Sequence, residues 1–276
     1  MKNVVLSNED FQDFPIGEFP YDKDHTAMGE YQYVVENGYH GNWVDMVCNY
    51  TYNGTGPTWL ITERDGRHFM ESMRIEKNRP HRMFPTLETG KHQWKDYEVS
   101  VSVRRLSQKG MAGLVFSMNH SIDTLVFYLD GKDKAAVAYR HKEEVQVLKE
   151  VSFPHGCDQE YRLKVDCDGR IAKVYVDDQE LFRVEDDLVA RGGKVGITAD
   201  CPSRFADFKV CVSEKTKQEI DVAERAVKET ETEEMKKHPK MKLWKKIDLK
   251  NFGTSRQIRF GHLTGTDEWY VVLAQM

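Results

Sequence analysis

The segment Tyr97-Glu98-Val99-Ser100-Val101-Ser102-Val103 decides the fold class. Apolar and polar residues alternate through it without a break, which is the pattern of a β-strand with one buried face. The same alternation recurs from Tyr161 to Cys167, and Asp168-Gly169 then leads into another apolar run. A turn pair between two such runs predicts a β-hairpin, and we expect a type I′ turn there.

Short strand patterns of this kind continue from about residue 30 to residue 212, and no helical pattern lies between them. Candidate turns separate the strands at Asn37-Gly38, Asn53-Gly54, Asp65-Gly66, Asp130-Gly131 and Gly192-Gly193. Regular short strands with frequent turns predict an all-β fold, an antiparallel sandwich or barrel, and not an α/β fold. We expect the tryptophans of this region in the core. They are Trp43, Trp59 and Trp94.

The composition changes after Ser213. Residues 214–242 are rich in Glu, Lys, Thr and Ala, with a thin apolar stripe, and predict one charged linker helix that ends at His238-Pro239. Residues 243–276 become apolar again and predict two or three short extra strands. The predicted domains are a sandwich at 1–212, a linker helix at 213–242 and a further strand-containing segment at 243–276.

Charge and hydropathy narrow the classes of partner. The net charge is −5, and acidic and basic residues are interspersed, so nucleic acid is not expected as a partner. The chain has no apolar run of 18 residues, so we expect no transmembrane helix and no membrane partner. Acidic residues at Glu9 and Asp10 precede any apolar signal core. The expected location is therefore cytoplasmic as the chain stands, or secreted if an export signal was removed.

The five cysteines are odd in number and contain no C-x-x-C pair. This spacing excludes a familiar zinc motif and a complete disulfide framework. Several of them fall within apolar strand patterns, where a free cysteine behaves as a small hydrophobic residue. We expect reduced structural thiols, which favours a reducing compartment.

Two short segments carry a resemblance to a known family. Asn8-Glu9-Asp10-Phe11 and the strand from Arg204 to Val210 resemble the opening and closing strands of concanavalin A-like jelly rolls, including laminarinase-like glucanases. The resemblance covers residues 4–212. It implies that the first and last strands lie side by side and share a structural Ca²⁺, held here by Asp10 (or Glu9) and Asp207. The alternative is that these carboxylates are ordinary surface charges.

Residues 247–263, which contain Phe252-Gly253 and Arg256-Gln257-Ile258-Arg259-Phe260-Gly261, resemble the start of the β-propeller of rhamnogalacturonan lyase-like proteins. His262 departs from that motif by replacing an acidic residue, so no second calcium site is expected there. The resemblance implies an accessory sandwich followed by the first strands of a propeller, with the rest of the parent chain as a partner. It transfers no catalytic residue to this chain.

A glycosidase needs two carboxyl groups at a defined separation. Glu71 and Glu76 fall on opposite faces of one strand pattern, Asp177-Asp178 indicates a turn, and Asp186-Asp187 indicates a loop. His155 and Cys157 are too close in sequence to face each other productively. We therefore expect no catalytic residue in the chain.

Saccharide binding requires aromatic surfaces and a few convergent polar groups. Residues 67–74 are polar on both faces of one strand pattern, and residues 119–141 carry further polar side chains. The predicted ligand-binding residues are Arg64, His68, Glu71, Arg74, Asn119, Tyr128 and Arg140. His120 and His141 belong to a wider candidate set. The basic and histidine-rich character favours an acidic, pectic polysaccharide.

Three functions follow from these patterns. The first is a carbohydrate-binding or accessory module of a polysaccharide-degrading, rhamnogalacturonan lyase-like protein. The second is a glycoside-cleaving enzyme with its site on the concave face of the sandwich. The third is a purely structural domain that supports a propeller. An open groove lined by polar side chains would favour binding, and a covered face would favour the structural role.

Overall fold

The computed structural model describes residues 2–19, 43–45, 59–72, 86–120, 123–141, 144–237, 256–262 and 269–275. The chain divides into two compact units, Met1–Glu224 and Arg225–Met276, and each is described by itself. In these residues, no helix has both the length and the apolar character needed to cross a membrane.

The first unit consists almost entirely of strands. In chain order they are β1 (Val4–Glu9), β2 (Gly17–Phe19), β3 (Val44–Asp45), β4 (Trp59–Arg64), β5 (Arg67–Ser72), β6 (Thr86–Thr89), β7 (Glu98–Arg105), β8 (Met111–His120), β9 (Asp123–Asp130), β10 (Lys134–His141), β11 (Glu144–Ser152), β12 (Glu160–Asp168), β13 (Ile171–Val176), β14 (Gln179–Glu185), the helix α1 (Asp187–Ala190), β15 (Lys194–Ala199) and β16 (Ser203–Val212). β16 ends at Val212, and the first unit extends beyond it to Glu224. The predicted domain bounds stay a prediction.

The described strands of the first unit form two antiparallel sheets. The larger has the order β14-β13-β12-β7-β16-β5-β4-β2, and the smaller has the order β11-β10-β9-β8-β15-β6-β3. β1 pairs with the second half of β16, and β5 pairs with its first half. The predicted all-β antiparallel sandwich is confirmed, and so is the expected pairing of its first and last strands.

The core lies between the two sheets and follows the alternation of the sequence. Val99, Val101 and Val103 on β7 are at most 1% exposed, whereas the serines between them lie on the outer face. Tyr161 to Cys167 on β12 repeats this pattern. The tryptophans predicted in the core are all buried.

Two hairpins show how the turn residues act. Asp65 and Gly66 both have positive φ, at 54° and 75°, as a type I′ turn requires. The hairpin predicted at Asp168-Gly169 is confirmed, but its two-residue loop is Gly169-Arg170. Gly169 has a φ of 55°, and Arg170 is not among the residues with positive φ. The expected type I′ turn is therefore wrong, because glycine at the first position alone is the pattern of a type II′ turn.

The described residues also include two helices. Asp186, expected in a loop pair with Asp187, is the N-cap of α1, and its carboxylate accepts from the backbone N–H of Leu188 at 2.9 Å. The predicted charged helix is present as α2 (Glu214–Lys237), capped by the Ser213 hydroxyl. Ile220 is the member of its apolar stripe that enters the sandwich core, at 1% exposed.

Cys167, Cys201 and Cys211 are buried, and among the described cysteines there is no disulfide. Burial raises the pKa of the Cys201 thiol to about 11, so this thiol stays protonated at neutral pH. That state fits the expected structural thiols. Cys48 lies outside the described residues.

The second unit contains one described hairpin, formed by β17 (Arg256–His262) and β18 (Trp269–Gln275). The two strands are antiparallel, from Arg256 opposite Gln275 to His262 opposite Trp269. The strand predicted near the end of the chain is present as β18. The strand predicted at residues 243–249 lies outside the described residues.

Candidate functional site

Asp123 lies at the centre of a group of polar side chains at one end of the smaller sheet. Its Oδ1 accepts hydrogen bonds from Nη1 of Arg191 at 2.7 Å and from the hydroxyl of Tyr139 at 2.8 Å. Its Oδ2 accepts from Nδ2 of Asn119 at 3.2 Å. Nδ1 of His141 lies 3.1 Å from the Tyr139 hydroxyl oxygen. We refer to these five residues as the Asp123 cluster.

Strand pairing assembles this cluster from distant parts of the sequence. Asp123 begins β9, where it faces His120 of β8 on one side and His141 of β10 on the other. Arg191 follows α1 and is anchored by two donations to the carbonyl oxygen of Ser117, from Nε at 3.1 Å and from Nη2 at 2.8 Å. The cluster is therefore held by rigid elements and not by a single loop.

A pair of glycines positions Arg191. Gly192 and Gly193 have φ values of 64° and 121°, which side chains rarely tolerate. A Cβ on Gly192 would lie 2.3 Å from the carbonyl oxygen of Trp94, and one on Gly193 would lie 2.4 Å from that of Met118. The chain can therefore turn this close to the carbonyl groups of Trp94 and Met118 only because both residues lack a side chain.

The electrostatics of the cluster favour an ionised Asp123. Burial acts to raise its pKa, but hydrogen bonds from Arg191, Tyr139 and Asn119 outweigh burial and lower the pKa below the ordinary value. Burial and the neighbouring carboxylate raise the pKa of Tyr139, so its hydroxyl keeps its proton. The side chains of Asp123 and Arg191 are 19% and 26% exposed, so solvent only partly screens their attraction.

The outer members of the cluster are accessible. Asn119 and His141 are exposed, while Tyr139 is half-buried against the core. The rings of Tyr139 and His141 lie with their centroids 5.7 Å apart and their planes tilted by 31°. Exposed amide and imidazole groups beside an aromatic surface can bind a polar ligand that also has apolar faces, such as a saccharide.

Basic groups lie next to the cluster. Lys194 forms an ion pair with the buried carboxylate of Glu88. The pKa of His92 is lowered, first by burial and then by the positive charge of Lys194, and His120 acts in the same direction. Two ion pairs and several histidines therefore surround the end of β8.

The structure separates the residues predicted to bind ligand. Asn119 belongs to the Asp123 cluster. Tyr128 and Arg140 share the outer face of the smaller sheet, where both are buried, at 9% and 3% exposed. Nη2 of Arg140 donates to Oγ1 of Thr86 at 2.9 Å, and burial lowers the pKa of Arg140 to about 10. A ligand contact by Tyr128 or Arg140 stays a prediction.

Arg64, His68 and Glu71 lie on the larger sheet, whose outer face points away from that of the smaller one. Glu71 is 4% exposed, and its carboxylate accepts from Nε of Arg204 and Oγ1 of Thr62, both at 2.8 Å. Internal contacts thus account for much of the polar character of this strand. Arg74 lies outside the described residues.

The calcium predicted at Asp10 and Asp207 stays a prediction. Glu9 pairs with Phe208 across β1 and β16. Asp10 directly follows Glu9 and Asp207 directly precedes Phe208, so the two aspartates occupy neighbouring positions. The carboxylate of Asp207, however, forms an ion pair with Arg67. An arginine at contact competes for the oxygens that a calcium ion would need, so this arrangement does not fit the ion. In the described part of the chain, no group of three or more His, Cys, Asp or Glu residues is placed to hold a metal.

Sequence patterns alone missed Asp123, Tyr139 and Arg191. The pair Gly192-Gly193 was recognisable as a turn, but nothing local indicates that the arginine before it reaches β9. His120 and His141 belonged to the wider set, and only the structure connects His141 to Asp123.

Comparisons with known proteins find similarity at the level of solved structures. No protein-family model and no curated protein matches the chain. The carbohydrate-binding module CBM66 from Bacillus subtilis is 16% identical, with a TM-score of 0.48 over 62% of this chain and 96% of that one. The GH43 protein BlXynB from Bacillus licheniformis is 14% identical, with a TM-score of 0.47 over 70% of this chain and 40% of that one.

The galectin LEC-6 from Caenorhabditis elegans is 10% identical, with a TM-score of 0.38 over 51% of this chain and 94% of that one. At such identities and TM-scores below 0.5, the similarity assigns no function. Function therefore has to rest on the residues of the site.

Proposed function

We propose that the sandwich is a carbohydrate-binding module that holds a saccharide at the Asp123 cluster. The observation that carries this proposal is the fixed arrangement of exposed Asn119 and His141 around the carboxylate that Arg191 anchors. Contact groups that are already ordered lose little conformational entropy when a ligand binds. The similar solved structures include a carbohydrate-binding module and a galectin, but the proposal rests on the Asp123 cluster.

The state of Asp123 favours binding over cleavage. A glycosidase needs one carboxyl group that keeps its proton near neutral pH and donates it to the leaving group. The pKa of Asp123 is lowered, and three donors already occupy its oxygens. This carboxylate is therefore suited to orient neighbouring side chains and not to act as an acid.

We propose further that the ligand is an acidic, pectic polysaccharide and that the parent protein is rhamnogalacturonan lyase-like. Lys194 beside the cluster pairs with Glu88 but keeps a side chain that is 26% exposed, and its ammonium group supports contact with a uronate carboxylate. The propeller-like motif in residues 247–263 supports the second part, and it contains β17, the first strand of the β17–β18 hairpin. The remainder of the propeller would then be a partner within the same parent chain.

Calorimetric titration with neutral and acidic oligosaccharides tests the binding site. We expect Asn119→Ala and His141→Ala each to weaken binding about tenfold, because each removes one hydrogen bond worth about 1.5 kcal/mol. Arg64→Ala is the control, since Arg64 is exposed on the larger sheet and its Nη1 donates to the carbonyl oxygen of Glu63. Melting temperatures check that each variant is folded.

Two results would contradict the proposal. The first is an absence of binding to every glycan at millimolar concentration. The second is weaker binding by Arg64→Ala with unchanged binding by the two cluster variants, which would favour the hairpin of β4 and β5 as the site. Release of reducing or unsaturated ends by the wild-type protein would instead support the enzyme hypothesis.

A further inference from the structure

The hydrogen-bond chain that ends at His141 can run in only one direction. Asp123 is ionised and can only accept, so the Tyr139 hydroxyl must donate its proton across the 2.8 Å contact. The Tyr139 oxygen then has only acceptor capacity left for the nitrogen 3.1 Å away. That nitrogen, Nδ1 of His141, must therefore carry a hydrogen.

This direction determines which tautomer His141 adopts. A neutral imidazole has one protonated and one unprotonated nitrogen, so with Nδ1 protonated its Nε2 is an acceptor. Neutral imidazole in water favours the opposite tautomer, with the proton on Nε2. His141 is exposed at the end of β10, and its acceptor nitrogen is available to a ligand.

Asn119 presents a similar group. Its Nδ2 donates to Oδ2 of Asp123 at 3.2 Å, so the orientation of the amide is determined by this bond. The carbonyl oxygen Oδ1 is therefore turned away from Asp123. The cluster carries two side-chain acceptors, on Asn119 and His141, each oriented by the same carboxylate.

We infer that His141 Nε2 and Asn119 Oδ1 accept hydrogen bonds from saccharide hydroxyl groups, which makes His141 a specificity-determining residue of the site. This inference rests on the proposed function for the identity of its ligand. A hydroxyl can donate to these atoms, whereas an ionised carboxylate cannot. Any carboxylate of the ligand is bound by the neighbouring basic groups and not by His141 in its neutral form.

A nitrogen-15 NMR measurement tests the tautomer without any ligand. Long-range proton–nitrogen spectra at pH 8 should show a protonated Nδ1 and an unprotonated Nε2 for His141, with the signals assigned through His141→Gln. Tyr139→Phe removes the acceptor and should return the ring toward the Nε2-protonated form. Tyr175→Phe is the matched control, since the Tyr175 hydroxyl contacts Glu180 on the larger sheet. A protonated Nε2 in the wild-type protein would overturn the inference.

Calorimetry with a neutral galacto-oligosaccharide and an oligogalacturonate tests the contact itself. We expect Tyr139→Phe to weaken binding of the neutral probe about tenfold at pH 8, because a ring with its proton on Nε2 no longer accepts from a saccharide hydroxyl. Tyr175→Phe should leave this affinity unchanged. Equal affinities of the wild-type protein and Tyr139→Phe for the neutral probe would overturn the role of His141. Failure of both probes to bind would overturn the proposed function while leaving the tautomer result intact.

Discussion

Replacement of Arg105 by methionine should destabilise the sandwich more than any surface substitution. Arg105 ends β7 and is 2% exposed. Its Nη1 donates to the carbonyl oxygen of Gly110 at 2.7 Å, and its Nη2 donates to that of Gly131 and to Nδ1 of His155, the last at 2.8 Å. One guanidinium therefore ties together the loops that follow β7, β9 and β11.

The magnitude follows from the acceptors left behind. Methionine keeps an apolar stem of similar length, but it leaves two carbonyl oxygens and one ring nitrogen without their donor. Each buried acceptor without a partner costs about 1–3 kcal/mol, and removal of a buried charge offsets part of the total. We expect a net loss of about 4 kcal/mol, which for a unit of this size lowers the melting temperature by about 10 °C.

Thermal and urea unfolding followed by near-ultraviolet circular dichroism measure this loss. Arg183→Met is the matched control, because Arg183 is exposed and forms an ion pair with Glu180 at 2.5 Å on the surface of β14. A surface pair of this kind contributes about 0–1 kcal/mol. If Arg105→Met melted within about 2 °C of Arg183→Met, the three contacts of Arg105 would not hold the loops, and the reasoning would be refuted.

Two further predictions concern pH and metal ions. Burial, and then the charge of Arg105, lower the pKa of His155, so the stability due to its neutral ring is complete above pH 6.5 and is lost as the pH falls. The urea midpoint should therefore drop between pH 7 and pH 5, and it should drop less in His155→Gln; equal drops would contradict this. Because Arg67 pairs with Asp207, we expect calcium and EDTA to leave the melting temperature unchanged. A lower melting temperature in EDTA would support the calcium predicted at Asp10 and Asp207.

The strands were predictable because their alternation is local. Val99, Val101 and Val103 indicate a half-buried strand by themselves, and the structure buries all three. The hairpin after β12 was also predictable, but its turn type was not. Whether Arg170 takes a positive φ depends on the register of β12 and β13, and Asp168 pairs with Ile171 instead of entering the loop. The helix α1 was not predictable because four residues are too few to show helical periodicity.

The candidate site was predictable only in part, because the local sequence pattern of a strand does not determine its neighbours in the sheet. Asn119 was identified, but Arg64, His68 and Glu71 were grouped with it although they lie on the other sheet. The sequence does not distinguish a polar strand residue that forms an internal ion pair, such as Glu71 with Arg204, from one whose side chain is solvated. The distinction requires the partner strand, and β16 lies more than a hundred residues after β5.

The two ends of β8 show why one end suits a ligand and the other does not. Near Met111, Arg105 is buried, and its guanidinium donates to backbone carbonyl oxygens and to the buried His155. It is therefore not accessible to a ligand. Near His120, Arg191 is partly exposed and holds the carboxylate of Asp123. That carboxylate in turn orients exposed side chains whose remaining polar atoms face outward. Both arginines hold neighbouring groups in place by hydrogen bonds, but the result differs. The bonds of Arg105 end at buried acceptors and stabilise loops. The bond of Arg191 to Asp123 orders a carboxylate that also binds the accessible side chains of the cluster, and these are ordered before a ligand binds.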